Sequence, residues 1–304
     1  MPPMPDSLPD QPATGFDRLV SFTIPAQDCR GRVVRLGPVL DEILAAHDYP
    51  PAIKLVLAEA LVLTALVGGL LKDADDQLTI QAQANGGVIS LLVCDYHDGA
   101  LRGYVQHDPA EFDTLGSNPD LPALFGEGYL ALTFDMGGEG KRYQGIVPLE
   151  GQSLTEALQA YFGQSEQVPT LIRTGLKSGA AGNVGGGLLV QHLPDGEDGR
   201  ERLHARLNHP QWEHVSLLAQ TIQPEELIEQ DLSLEEIVWR LYHEEDRILV
   251  ERGASLCKGC RCSAQHFEQV LARFSHVDRV EMKDETGVIR IDCAFCSRQF
   301  CVQD

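Results

Sequence analysis

Basic residues are scarce in this chain of 304: 24 Lys and Arg stand against 45 Asp and Glu, a formal charge of -21 at neutral pH. A surface so negative repels phosphate backbones and anionic headgroups, so bulk electrostatic attachment to nucleic acid or a membrane is excluded unless a local basic patch intervenes. The first fourteen residues, Met1 to Thr14, hold five prolines and no Lys or Arg. They lack the basic start and apolar run of a signal peptide and read as a disordered tail, which points to the reducing cytoplasm. No Gly-x-x-x-x-Gly-Lys-Ser/Thr pattern occurs, and the glycine cluster Gly179 to Gly187 does not lead from a strand into a helix as a phosphate-binding loop does. No Ser/His/Asp order, paired-carboxylate motif or cofactor fingerprint stands out, so the chain is not read as an enzyme. Long apolar runs are missing too, except at Leu55 to Leu71, where Glu59 and Gly68-Gly69 favour a buried core helix over a membrane span.

What is present suits a globular protein: 43% hydrophobic and 23% charged residues, in a length that allows one large or two ordinary domains. Leu36 to Lys72 reads as two helices split at Pro50-Pro51, the second nearly all apolar. From Gln77 the period changes to two, through LTIQAQA, Asn85-Gly86-Gly87, VISLLVCDY, Asp98-Gly99 and LRGYVQ, a meander of strands on tight turns. Further strands are expected at Tyr129 to Asp135 and Tyr143 to Leu149, and Ser153 with Glu156 makes a capping box opening a helix to about Gly163. Leu193 to Asn208 is polar and reads as a surface excursion or boundary. Gln220 to Asp246 then carries nine acidic residues against one basic, Arg240, threaded by Leu227, Ile228, Leu232, Leu234, Ile237, Val238, Leu241 and Tyr242. Pro224 and the Ser233/Glu236 capping pair predict two short amphipathic helices, marginally stable because they are short and their like charges repel.

Six of the eight cysteines lie in the last 48 residues, at 257, 260, 262, 293, 296 and 301. Cys260-Arg261-Cys262 and Cys293-Ala294-Phe295-Cys296 are close pairs separated by a predicted helix (Ala264 to Phe274) and a hairpin-like stretch (Val280 to Asp292), as tetrahedral zinc requires of four soft ligands on a small scaffold. Cys257-Lys258-Gly259-Cys260 with the second pair is an equally good zinc-ribbon pattern, and spacing does not choose between them. Zinc ribbons often bind nucleic acid, but residues 257–304 hold seven basic and seven acidic side chains, so no basic patch appears. His266 and His276 lie in the same module as alternative ligands. Cys29 and Cys94 read as a free thiol and a core residue. A thiol-disulfide oxidoreductase using Cys293 and Cys296 is the rival of another class.

The pair spacing, preceded by Trp239-Arg240-Leu241-Tyr242-His243-Glu244-Glu245, resembles the redox-regulated 33-kDa heat-shock chaperonin family of bacteria. Arg30-Gly31-Arg32, His47-Asp48-Tyr49-Pro50, Leu101-Arg102-Gly103-Tyr104-Val105, Tyr143-Gln144-Gly145-Ile146-Val147 and Gly186-Gly187-Leu188-Leu189-Val190-Gln191 are similar to stretches of its N-terminal domain. The resemblance implies zinc held by Cys260, Cys262, Cys293 and Cys296, the same four residues forming the redox-switch disulfides; Cys257 and Cys301 are additional. It implies an ATP-independent holdase, silent when reduced and active when oxidised, that binds unfolding client proteins and dimerises once oxidised. Together the readings describe an α+β protein: a tail at 1–14, a core domain at 15–200 with a mostly antiparallel sheet and buried central helix, a redox-labile acidic helical linker at 201–255, and a small zinc-binding redox-switch domain at 256–304. The linker is expected to dock partly on the zinc domain, and its stripe of Leu227, Ile228, Leu234, Ile237, Val238, Leu241 and Tyr242 to be the client-binding surface.

Overall fold

The computed structural model describes residues 15–116, 119–138, 140–179, 181–193 and 209–302; the expected tail and nearly all of the polar stretch 193–208 lie outside the described residues. The chain opens with β1 (Arg18–Ile24) and β2 (Cys29–Leu36), then α1 (Pro38–Leu44) and α2 (Pro51–Gly68). Pro51 is the first residue of α2, where its missing N–H costs no hydrogen bond. The meander follows as β3 (Gln77–Gly86), β4 (Ile89–His97) and β5 (Ala100–His107), with Asp98 and Gly99 both at positive φ in the β4–β5 turn. Next come α3 (Pro109–Phe112), α4 (Leu121–Phe125), β6 (Gly126–Met136), β7 (Lys141–Pro148), α5 (Leu154–Tyr161), β8 (Thr170–Gly179) and β9 (Gly182–His192). Ser153 caps α5, but the Glu156 carboxylate accepts from Gln152 N–H instead of Ser153 N–H.

The remaining elements are α6 (Pro210–Gln220), α7 (Pro224–Ile228), α8 (Leu234–Tyr242), β10 (Leu249–Ser255), β11 (Cys257–Lys258), α9 (Ala264–Leu271), α10 (His276–Glu281), β12 (Ile289–Asp292) and β13 (Gln299–Val302). One five-stranded sheet runs β10-β1-β2-β9-β8, one six-stranded sheet β11-β5-β4-β3-β6-β7, and β12 pairs with β13. All pairings are antiparallel except β11 on β5. Helix α2 packs against strands of both large sheets, and every residue from Leu57 to Gly68 is buried. By length and composition it would suffice to cross a membrane, yet here it is the central core helix. Glu59 is tolerated because its carboxylate accepts from both the N–H and the hydroxyl of Thr155.

The opposite face of the five-stranded sheet is covered by α6, α7 and α8, which form a second core with Val20, Phe22, Val33, Leu188 and Val190. Here the structure corrects an expectation: among the described residues the linker helices pack on the core sheet, not on the C-terminal cysteine module. The reason is the supply of apolar surface, for the sheet offers a continuous face, whereas the module's own apolar cluster among the described residues is Leu271, Ile289 and Val302. The glycine cluster serves this contact. A Cβ at Gly186 would strike the Leu227 carbonyl, one at Gly175 the Pro224 carbonyl, while Gly185 and Gly187 face Val62 of α2. The linker stretch is also not helical throughout, since β10 returns to pair with β1. The expected turn at Glu285-Thr286-Gly287 forms, with Asp284 and Val288 hydrogen-bonded across it, but Val280 to Asp292 is not a pair of strands: α10 ends at Glu281, the Asp284 carboxylate accepts from Thr286 and Arg290, and β12 pairs forward with β13.

Candidate metal centre

Two turns bring the thiols together. Cys260 and Cys262 lie between β11 and α9, and Ser263 caps α9 immediately after them through His266 N–H, fixing where the loop stops. Cys293 to Cys296 form the β12–β13 turn, closed by Cys296 and Ser297 N–H groups on the Cys293 carbonyl and by Cys293 N–H on Arg298, with Ser297 at φ 54. The Sγ atoms of Cys260, Cys262, Cys293 and Cys296 all lie within 4.8 Å of one another. Separations are 3.2 Å for Cys260–Cys262, 3.6 Å for Cys260–Cys293 and 3.4 Å for Cys262–Cys296. A thiolate tetrahedron with metal–sulfur bonds near 2.3 Å has edges of about 3.8 Å, so a small shift outward admits a metal ion.

Burial alone would raise the Cys260 thiol, but hydrogen bonds from Cys262 N–H and from the three other thiols bring it down to about 7. Burial, and then donation to Cys260, raise Cys262. A bound cation would displace the protons of all four thiols. Cys257 stays outside it, exposed on β11, and Cys301 is exposed on β13 opposite Arg290. His266 and His276 do not join it, and no disulfide occurs among the described residues. Cys29 is buried under the linker helices, a core residue like Cys94, and burial followed by Asp28 and Glu245 pushes its thiol up to about 12. The Cys293-x-x-Cys296 pair sits in a hairpin turn, not at a helix start after a strand, which disfavours the oxidoreductase reading.

Of the stripe residues, Leu227, Leu234, Ile237, Val238 and Tyr242 are buried against the core sheet, and Ile228 and Leu241 half-buried. Arg35 escaped notice in the sequence. Fully buried on β2, its guanidinium donates to the carbonyls of Leu227 (2.9 Å), Leu232 (2.8 Å) and Glu226 (3.4 Å), holding the turn between α7 and α8. A lone arginine in Val33-Val34-Arg35-Leu36 gives no local sign of that partner. His47, Arg102 and Tyr104, which lie in family-like stretches, contact the second cysteine turn, and no local pattern in the sequence marks that contact.

Comparison with known proteins places the chain. The model of the Hsp33 protein family matches residues 17–303. A 33 kDa chaperonin of Caulobacter vibrioides is 38% identical over 97% of this chain and 97% of its own. One from Photorhabdus laumondii is 35% identical, covering 93% and 92%. The crystal structure of a 33 kDa chaperonin (heat shock protein 33 homolog) from Thermotoga maritima superposes with a TM-score of 0.76 over 94% of this chain and 95% of that one, at 21% identity, a likeness of fold. With the match running from the first core strand to the last strand of the cysteine module, this chain belongs to the Hsp33 family.

Proposed function

We propose that this protein is an ATP-independent holdase chaperone of the cytoplasm, silent while Cys260, Cys262, Cys293 and Cys296 hold zinc and active once oxidants convert them to disulfides. One observation carries the reading: the four-thiol module terminates the same segment whose apolar stripe is folded away on the core sheet. Four soft thiolates in a tetrahedral set favour zinc, which would supply the crosslink that a module with so small an apolar cluster lacks. A thiolate attacking peroxide yields a sulfenic acid and hydroxide, and the paired thiol then displaces a second hydroxide as the disulfide forms, so two thiols and one peroxide give a disulfide and two waters. Cys293 and Cys296 are spaced for an ordinary disulfide and oxidise first; Cys260 and Cys262 close a tighter ring.

Oxidised, the cysteines no longer hold the module together. Strand β11 then leaves β5, β10 loses its anchor, and the short acidic helices α7 and α8 lift from the sheet. Leu227, Ile228, Leu234, Ile237, Val238, Leu241 and Tyr242, with the sheet face beneath them, become the surface for unfolding clients, and the nine carboxylates of the segment keep the opened protein soluble. The same exposed surface supports dimerisation of the oxidised form. The test compares reduced, zinc-loaded protein with protein treated with peroxide at mildly raised temperature, recording released zinc and suppression of client aggregation. Zinc release with suppression confined to the oxidised sample is expected; equal suppression in both, or zinc loss without suppression, overturns the switch.

A further inference from the structure

The two cysteine turns do not stand free of the core domain. Between Cys293 and Cys296 the Phe295 ring meets Tyr104 of β5 edge to face, centroids 4.9 Å apart at 85°, with the Arg102 guanidinium 3.9 Å over its centre. Arg102 is itself held, its Nη2 2.6 Å from the carboxylate of Asp95, which also accepts from the Thr79 hydroxyl. Beside it His47, from the loop between α1 and α2, grips the same turn twice. Its Nε2 lies 2.9 Å from the Ala294 carbonyl and its Nδ1 3.0 Å from the Ser297 hydroxyl. A carbonyl only accepts, so Nε2 carries the proton and Nδ1 receives one from Ser297. The imidazole stacks on Tyr49, whose hydroxyl bonds the backbone of Val105 in both directions, so the clamp is rooted in the sheet. On the first turn Arg261, between Cys260 and Cys262, reaches Gln77 at 2.9 Å and the same Asp95 at 3.7 Å.

Each ligand-bearing turn is therefore gripped through a residue standing between its two cysteines, and both grips converge on the buried carboxylate of Asp95. We infer that the core domain forms part of the hold on the metal: a socket of Arg102, Tyr104 and His47 seats the turn carrying Phe295, so the affinity of the four-cysteine site depends on residues far outside it in sequence. Phe295 meets its socket only when Cys293 and Cys296 are folded into the turn, and that turn persists in a module this small only when the four sulfurs are held together. Docking and metal binding then share one coupling free energy, so docking raises the metal affinity by the same factor by which bound metal favours docking. Phe295, Tyr104 and His47 are positioning residues, acting through the ligand turn.

The inference rests on the metal reading of the cluster. Its test is an equilibrium competition for zinc between a chromophoric chelator and the full-length reduced protein. Phe295→Ala and Tyr104→Ala each lower the apparent zinc affinity by roughly three- to tenfold, the range for losing one aromatic contact and its cation stack. His47→Ala lowers it by a similar factor, and His47→Gln, able to donate to Ala294, recovers part of the loss. Tyr104→Phe keeps the ring and the wild-type affinity, and Val277→Ala on the exposed side of α10 changes nothing. Thermal melts read in parallel show whether each core remains folded. Folded Tyr104→Ala and His47→Ala proteins that bind zinc as tightly as wild type overturn the socket. Wild-type protein that retains no zinc overturns the metal reading, and the socket with it.

Discussion

The core domain and the C-terminal module are joined by a few residues of strand but are stabilised in opposite ways. In the core, α2 is buried over Leu57 to Gly68 between two sheets, and a second apolar cluster lies under the linker helices. The module buries Leu271, Ile289 and Val302, with Phe267 and Ile291 half-covered. Hydrophobic burial scales with the area removed from water, so the first region has far more of this stabilisation to draw on than the second. A protein organised this way can lose one region without losing the other.

The largest expected effect separates them directly. Removing metal from the reduced protein with a chelator, or changing Cys293→Ser, withdraws a contribution on the order of 10 kcal/mol. Hydrogen exchange should then lose protection in residues 264–302 while α2 and β3 keep theirs; loss in both at once would break the comparison. Next come changes at the seam between linker and core. Leu234→Ala should cost about 2–5 kcal/mol, and Arg35→Ala roughly 1–3 kcal/mol for each carbonyl left without a donor. Both should raise binding of a hydrophobic dye while any bound metal is retained, showing that the linker can open with the cysteine module still intact.

A smaller effect follows from the buried thiols. Cys29 is raised in the fold from an ordinary 9.0 to about 12, so the native state keeps a proton that the unfolded chain releases. Stability is therefore insensitive to this group below 9.0 and falls as pH rises from there toward about 12. Native-state alkylation near pH 8 should label Cys257 and Cys301 and spare Cys29 and Cys94, which mass spectrometry of peptides would read. Smallest of all, Cys257→Ser and Cys301→Ser should shift stability by less than about 0.5 kcal/mol, both being exposed, and leave the metal-binding stoichiometry of the reduced protein as it was. A lost equivalent of zinc in either variant would redraw the ligand set.

What the amino-acid order determined by itself is most of what has a short range, although Glu156 turned to Gln152 N–H instead of closing the box on Ser153. The prolines at 50 and 51 split α1 from α2, the Asp98-Gly99 turn joins β4 to β5, and Ser233 with Glu236 forms a reciprocal capping box on α8, because each acts within a few residues. The spacing of the cysteine pairs was legible for the same reason. Only the tertiary structure decided where the amphipathic stripe would lie, since an apolar face specifies that it be covered and not by what. Arg35 stands about 190 residues from the carbonyls it holds, and His47 is 247 from Ala294. Cys257 has the right spacing for a ligand but is drawn into extended pairing with Ala100 on β5, outside the cluster. Contacts of such separation are chosen by the packing of whole sheets, and a local pattern carries no trace of them.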